Sequence, residues 1–311
     1  MKIPLVSVIC LCHNQREFVL ETLDSVFQQT YEHIEIIIVD DGSTDGSKEI
    51  IDDVLKNHRD LVYVNLSENK GNTEAFNRGL EKAHGKYIVD LACDDIMLSQ
   101  RIEKQVSYFE TLNEEYGVIY SDAEYFNNEE SLGRHFSNKR WAAHVGNIYT
   151  ELVESYFIPP PTMMMKREVF EDLGGYDETL AYEDFDFWVR SARTWYYGFQ
   201  DEVLTKIRRR PNSLSTRLYE RHDRQLESTL RICQKILKMN NSRAEHNALI
   251  KRLRYEMRHS FLTGNSMEAH GFYMLLNDLG GANMLYKLME VFNRFSPDLS
   301  TLRKIVIRLR H

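Results

Sequence analysis

The chain has 311 residues, 42% of them hydrophobic and 28% charged, an ordinary globular composition with room for one large domain or two modest ones. No uninterrupted apolar run approaches the ~18 residues of a spanning helix, and the four cysteines (Cys10, Cys12, Cys93, Cys233) include no CxxC pair, so reduced, packed thiols are expected rather than a metal site or a disulfide framework. The net charge of −8 is uneven: residues 216–311 carry 17 Lys and Arg against 9 Asp and Glu, residues 1–215 carry 22 against 38, an acidic body followed by a basic tail.

MKIPLVSVICLC sets Lys2 before an apolar run, but it passes into HNQRE without a small-residue cleavage pattern. It reads as a buried first strand of a cytoplasmic protein. VSVICLC (6–12) and IEIIIVD (34–40) are strands, with helices over QREFVLETLDSVFQQ (15–29) and DGSKEIIDDVLKNH (45–58). LVYVNL (61–66), TEAFNRGLEKAHG (73–85), KYIVDLA (86–92), SQRIEKQVSYFETLN (99–113) and GVIYSDAEYF (117–126) continue the alternation. Near-continuous β-branched strands separated by amphipathic helices predict a doubly wound, mostly parallel α/β sheet covered on both faces. Residues 127–158 are less regular, and IPPPTMMM (158–165) is extended because three prolines exclude helix. Helices follow at KREVFEDLG (166–174) and YEDFDFWVRSARTW (182–195), then a strand at EVLTKIRR (202–209). From about 216 the pattern is helical, with breaks near NNS (240–242), GNS (264–266), GG (280–281) and SPD (296–298). The expected division is therefore 1–215 and a helical extension, 216–311.

In such sheets ligands bind beyond the carboxyl ends of the strands, where the polar motifs fall: HNQ, DDGSTDGS and CDD. Asp40 and Asp41 suit contacts to a base or ribose, though DDGS is equally a turn and helix cap. Asp94 and Asp95, closing the apolar LACDDIML, repel each other unless a cation joins them; a divalent ion bridging nucleotide phosphates would do so, and an N-cap pair is the plainer alternative. Glu183, Asp184 and Asp186 open a helix, where acids are common for dipole reasons alone; one facing the crevice would serve as a general base.

Four stretches carry a resemblance: VSVICLCHNQREFVLETLDSVFQQTYEHIEIIIVDDGSTDGS, NKGNTEAFNRGL, GKYIVDLACDDIMLSQRIEKQ and FEDLGGYDETLAYEDFDFWVR. Over roughly residues 4–215 the chain resembles the family 2 inverting glycosyltransferases of the GT-A fold, of the bacterial surface-polysaccharide type. The resemblance implies a metal-dependent transfer (Mn²⁺ or Mg²⁺) from a nucleoside-diphosphate sugar to a saccharide or lipid-linked saccharide hydroxyl. It places Asp41 at the nucleotide base, with His13 where an aromatic often lies against the base, Asp94 and Asp95 at the metal and diphosphate, and Asp184 as catalytic base. Arg208 and Arg210, in IRRRPNSLS, are candidates to clamp the diphosphate; a solvated basic turn is the alternative. Two departures stand out: Ala92 replaces the first acid of Asp-x-Asp, and Phe76 replaces the Arg of Ala-Arg-Asn. A non-catalytic nucleotide-sugar-binding or scaffold protein of a polysaccharide assembly is the alternative function. No nucleic-acid partner is expected.

TLRKIVIRLRH (301–311) alternates basic and aliphatic residues. As a helix it suits peripheral attachment at the inner face of an anionic membrane, or a homodimer contact.

Overall fold

Every side chain of β1 (Val6–Cys12) is buried, as a strand covered on both faces requires. In the computed structural model, which describes residues 3–127, 130–137, 142–210, 221, 224–295 and 299, β1 lies between β2 (Ile34–Asp41) and β4 (Tyr87–Ala92), parallel to both, and β3 (Val62–Leu66) adds in parallel to β2. The β1 side chains Val6, Val8, Cys10 and Cys12 pack with α1 (Val19–Phe27), α2 (Ser47–Asn57) and α4 (Arg101–Phe109). On the opposite face lies α3 (Asn72–Leu80), so close that a Cβ on Gly79 would stand 2.5 Å from Ile9 Cγ2. Phe76, where the resemblance implies an arginine, is buried there and stacks on Tyr176 at 4.3 Å. It serves packing in this chain.

The sheet order is β3-β2-β1-β4-β8-β6-β9-β5, with β7 on β6. Here β5 is Ile96–Met97, β6 Tyr116–Asn127, β7 Glu130–Arg134, β8 Met164–Lys166 and β9 Tyr196–Arg208. β9 runs parallel to β6, whereas β5, β7 and β8 pair antiparallel. The doubly wound α/β architecture is thus present, with a parallel half β3-β2-β1-β4 and a mixed half. Several boundaries differ from the sequence reading: the helix expected over 15–29 begins at Val19, the one over 73–85 ends at Leu80, and the proline stretch expected to be extended holds a 3-10 turn at Pro160–Thr162. The helix expected over 182–195 is α7 (Glu183–Ser191), and β9 begins at Tyr196 rather than near 202. Pairing of Tyr196–Gln200 with Tyr116–Ser121 draws this aromatic stretch into the sheet, in keeping with the strand preference of its tyrosines and phenylalanine.

The chain divides into two compact units: Met1–Ile148, Phe157–Thr179 and Arg190–Arg210 in one, and Tyr149–Tyr156, Leu180–Val189 and Pro211–His311 in the other. The first holds the sheet and α6 (Arg167–Leu173). The second contains α5 (Tyr149–Glu154), most of α7, α8 (Arg224–Met239), α9 (Arg243–Leu262), α10 (Ser266–Asp278) and α11 (Met284–Asn293). Its core includes Arg252, buried and stacked 3.7 Å over Tyr156, donating to Val153 O at 3.1 Å and pairing with Glu256 at 3.1 Å. Ser242 caps α9 by accepting from Glu245 N at 3.2 Å. Among the described residues no helix is long and apolar enough to cross a membrane. The SPD turn at 296–298 and the basic stretch 301–311 lie outside the described residues.

Candidate functional site

The chain leaves β1 for β2 and β3 on one side and returns to β4 on the other. That reversal opens a crevice beyond the carboxyl end of β1. Cys12 is in register with Asp40, and Leu11 with Ala92, so the loops after β1, β2 and β4 emerge side by side.

The loops after β1, β2 and β3 are laced together. The Asp41 carboxylate accepts from Lys70 N at 2.7 Å and Gly71 N at 2.9 Å, which ties the end of β2 to the start of α3. His13 Nδ1 lies 2.7 Å from Asp41 O, a carbonyl that only accepts, so Nδ1 carries the proton. Nε2 then accepts from Asn69 Nδ2 at 2.8 Å and Asn14 Nδ2 at 3.1 Å. Asp40 and Asp45 perform the turn and cap work: Asp40 accepts from Ser43 N at 3.1 Å, and Asp45 from Ser47 N and Arg16 N, each at 2.9 Å. Gly42 has φ +64°, and a Cβ there would lie 2.5 Å from the carbonyl carbon of Glu68. Only glycine fits that crossing.

The second cluster joins Asp94, Asp95, Arg208 and Arg210. The Arg210 guanidinium pairs with Asp94 Oδ2 at 2.6 Å. Arg208 donates its amide to Asp95 Oδ1 at 2.9 Å and its Nε to Asp94 O at 3.0 Å, and pairs with Glu21. Its guanidinium lies between the rings of Phe18, at 4.5 Å, and Phe126, at 4.4 Å. Asp95 is only 4% exposed; burial first, and the Asp94 charge second, push its carboxyl up to about 8 against the pull of Arg208 and Arg101. Arg101 is fully buried, and burial lowers its guanidinium to about 9 although the Asp95 charge favours protonation. Arg101 is braced by Gln105 Oε1 and Met163 O, each at 3.0 Å. Arg101 of α4, Arg208 of β9 and Arg210 just beyond it lessen the repulsion between the adjacent aspartates, but burial and the Asp94 charge outweigh them at Asp95.

Sequence reasoning missed Arg101, Glu21 and Asn69. Asn69 lies in the NKGN stretch, and Arg101 occupies a core-facing helix position where an aliphatic residue is the norm. That misplaced charge was the available signal.

Asp184 belongs to the second unit, at the half-buried start of α7. Its neighbour Asp186 is fully buried and pairs with Lys235 Nζ at 2.6 Å. Asp186 thus braces α7 on α8, which separates it from Asp184 in role.

Among the described residues no group of three or more His, Cys, Asp or Glu side chains converges to hold a metal ion. Asp94 and Asp95 nonetheless offer hard carboxylate oxygens, Asp94 beside the part-exposed Arg210 guanidinium and Asp95 beside the Arg208 amide. That donor set fits Mg²⁺ or Mn²⁺ bound through one or two carboxylates, with phosphate oxygens completing the shell.

A doubly wound sheet with its polar loops gathered at the β1 switch point defines a doubly wound α/β protein. Residues 7–174 match Glycosyl transferase family 2, and the chain belongs to that family. It is 30% identical over 207 residues to an uncharacterised glycosyltransferase of Rickettsia prowazekii, covering 66% of this chain and 64% of that protein. It is 41% identical over 105 residues to TuaG, a Bacillus subtilis glycosyltransferase ascribed to teichuronic acid biosynthesis, covering 34% of this chain and 42% of TuaG. The chain thus spans less than two thirds of either relative. Its fold is that of S. aureus TarS residues 1–349, crystallised with UDP, at TM-score 0.70 and 17% identity over 98% of this chain and 91% of that one. A Pyrobaculum calidifontis mannosyltransferase in complex with GDP-Man and Mn²⁺ superimposes with TM-score 0.60 at 16% identity, covering 95% and 85% of the two chains.

Proposed function

We propose that this chain moves a glycosyl group from a nucleoside-diphosphate sugar to a hydroxyl of a saccharide acceptor, free or lipid-linked, with inversion at the anomeric carbon. The setting is cell-surface polysaccharide synthesis on the cytoplasmic side of the membrane. Supporting it are the family membership, the ligands named for TarS and the mannosyltransferase, and the assignment of TuaG. The observation that carries the reading is the paired aspartates and paired arginines gathered at the end of β4.

Cleaving the bond from anomeric carbon to phosphate oxygen leaves negative charge on the departing diphosphate. Arg208 and Arg210 donate hydrogen bonds to that charge as Arg210 exchanges Asp94 for phosphate. A divalent ion held by Asp94 and Asp95 supplies further positive charge at the leaving group when bound. Asp184 takes the proton of the acceptor hydroxyl as its oxygen bonds to the anomeric carbon from the opposite face. Asp41 and His13 order the loop that receives the nucleoside.

The test is a panel of UDP-, GDP- and dTDP-sugars assayed for binding and turnover with Mn²⁺ or Mg²⁺. Asp184→Asn is expected to keep donor affinity and lose turnover by about 10²–10⁴-fold; an unimpaired variant would overturn the assignment. A second reading, donor binding without transfer, is kept open by Ala92 in place of an acid. It predicts saturable binding and no turnover across the panel.

A further inference from the structure

Helix α11 is amphipathic in the reverse of the usual sense. Three of its polar positions face the helical unit: Tyr286 accepts from Arg258 Nη1 at 2.6 Å, Glu290 pairs with His270 at 2.7 Å, and Asn293 donates to Ser266 O at 2.8 Å. Tyr286 and Asn293 are 3% and 4% exposed. The apolar positions Met284, Leu285, Leu288, Val291, Phe292 and Phe295 form one stripe pointing away, and each is between 49% and 77% exposed. Spacings of three and four residues put them on a single face. A contiguous apolar face of this kind marks an interaction surface.

The charges around the stripe select its occupant. Lys287 and Arg294 are exposed beside it, whereas the one carboxylate of α11, Glu290, is turned onto His270. A two-fold contact between copies would press this patch against itself and bring cations to cations without an exposed carboxylate from α11 to pair them. An anionic lipid surface complements both the stripe and its cations. At 10 residues α11 is about 15 Å long, too short to cross a bilayer and suited to lying in its interface. The charge division agrees: 17 basic against 9 acidic residues in 216–311 favour the surface, and 22 against 38 in 1–215 disfavour it.

We infer that α11 is a membrane-docking helix whose outer face, from Met284 to Phe295, seats among the headgroups of an anionic bilayer. This is independent of the transfer reading, because vesicle binding is measured without donor or acceptor. The experiment is flotation of the full chain with vesicles of phosphatidylcholine alone or with roughly one third phosphatidylglycerol, at ~0.1 M salt. The expected result is partition onto the anionic vesicles at least about tenfold above the neutral ones. Leu288→Asp with Phe292→Asp should reduce it about tenfold or more, with the thermal midpoint and circular dichroism retained. Should the double variant misfold, Phe292→Ser, at a site already 57% exposed, takes its place with a smaller loss expected. Equal binding to both vesicle types, or undiminished binding by the folded variants, overturns the proposal. So does a dimer in sedimentation without lipid that the double variant dissolves, which would make the face a copy-to-copy contact. If Arg308→Glu with Arg310→Glu abolishes binding while the α11 variants bind normally, attachment belongs to the chain end and the proposal also falls.

Discussion

The Arg210 guanidinium stands 2.6 Å from the Asp94 carboxylate, where phosphate and a divalent ion are the competing partners under the proposed reaction. Removing Arg210 leaves that carboxylate without this counter-charge. Arg210→Gln is expected to tighten Mn²⁺ binding in the absence of donor by about fivefold, on the order of 1 kcal/mol for a partly exposed pair, while weakening donor affinity. Calorimetry with Mn²⁺ alone and then with donor separates the two effects. Unchanged metal affinity would show that the pair does not compete with the ion.

Gly42 combines a left-handed backbone with a 2.5 Å approach to the chain at Glu68. Gly42→Ala must displace one of the two loops and with it the bonds from Lys70 N and Gly71 N to Asp41. A loss of roughly 2–4 kcal/mol in urea unfolding is expected, together with weaker nucleotide binding. Wild-type stability in the variant would count against the strain.

Two aspartates on α7 should give opposite phenotypes. Asp186 is buried on Lys235, so Asp186→Asn should cost about 1–3 kcal/mol of stability. Half-buried Asp184→Asn should leave the unfolding midpoint within about 0.5 kcal/mol of wild type and affect transfer instead. Chemical denaturation of both variants, beside turnover, checks the contrast.

Glu35 provides a pH test. Burial opposes its charge, but hydrogen bonds from Ser7 Oγ, from His84 N and its ring, and from Gly85 N hold the carboxyl below its ordinary value. A depressed carboxyl binds fewer protons folded than unfolded, so its contribution is present above the unfolded value of 4.5 and is lost as pH falls through the folded one. Glu35→Gln should be less stable than wild type by about 1–2 kcal/mol from pH 6 to 8. The gap should close as pH falls below 4.5. Thermal unfolding across that range is the measurement, and a constant gap would refute the linkage.

Much of the site's placement was legible in the chain. Val6–Cys12 and Ile34–Asp41 announce themselves by continuous apolar content, and DDGS and CDD fall where such strands must end. The arginine contribution of α4 was half legible: a charge at a core-facing position of SQRIEKQ signals a buried arginine, but nothing local says that the Asp95 charge lies near it. The Phe76 departure was visible as an absence of arginine, while its replacement role came only with Tyr176 packed over the ring. Two-residue β5 exists only because Thr205 and Lys206 of β9 pass beside it.

By itself the sequence determined the order of strands and helices and the loops bearing the acids, because apolar periodicity and turn residues are local properties. Only tertiary structure decided which charges approach Asp94 and Asp95, where β9 begins, and which side of α11 faces outward. Periodicity shows that a helix has two faces, but long-range packing chooses the one to bury. In α11 that choice rests on Tyr286, Glu290 and Asn293 finding polar partners on α9 and α10, which leaves the apolar stripe outside.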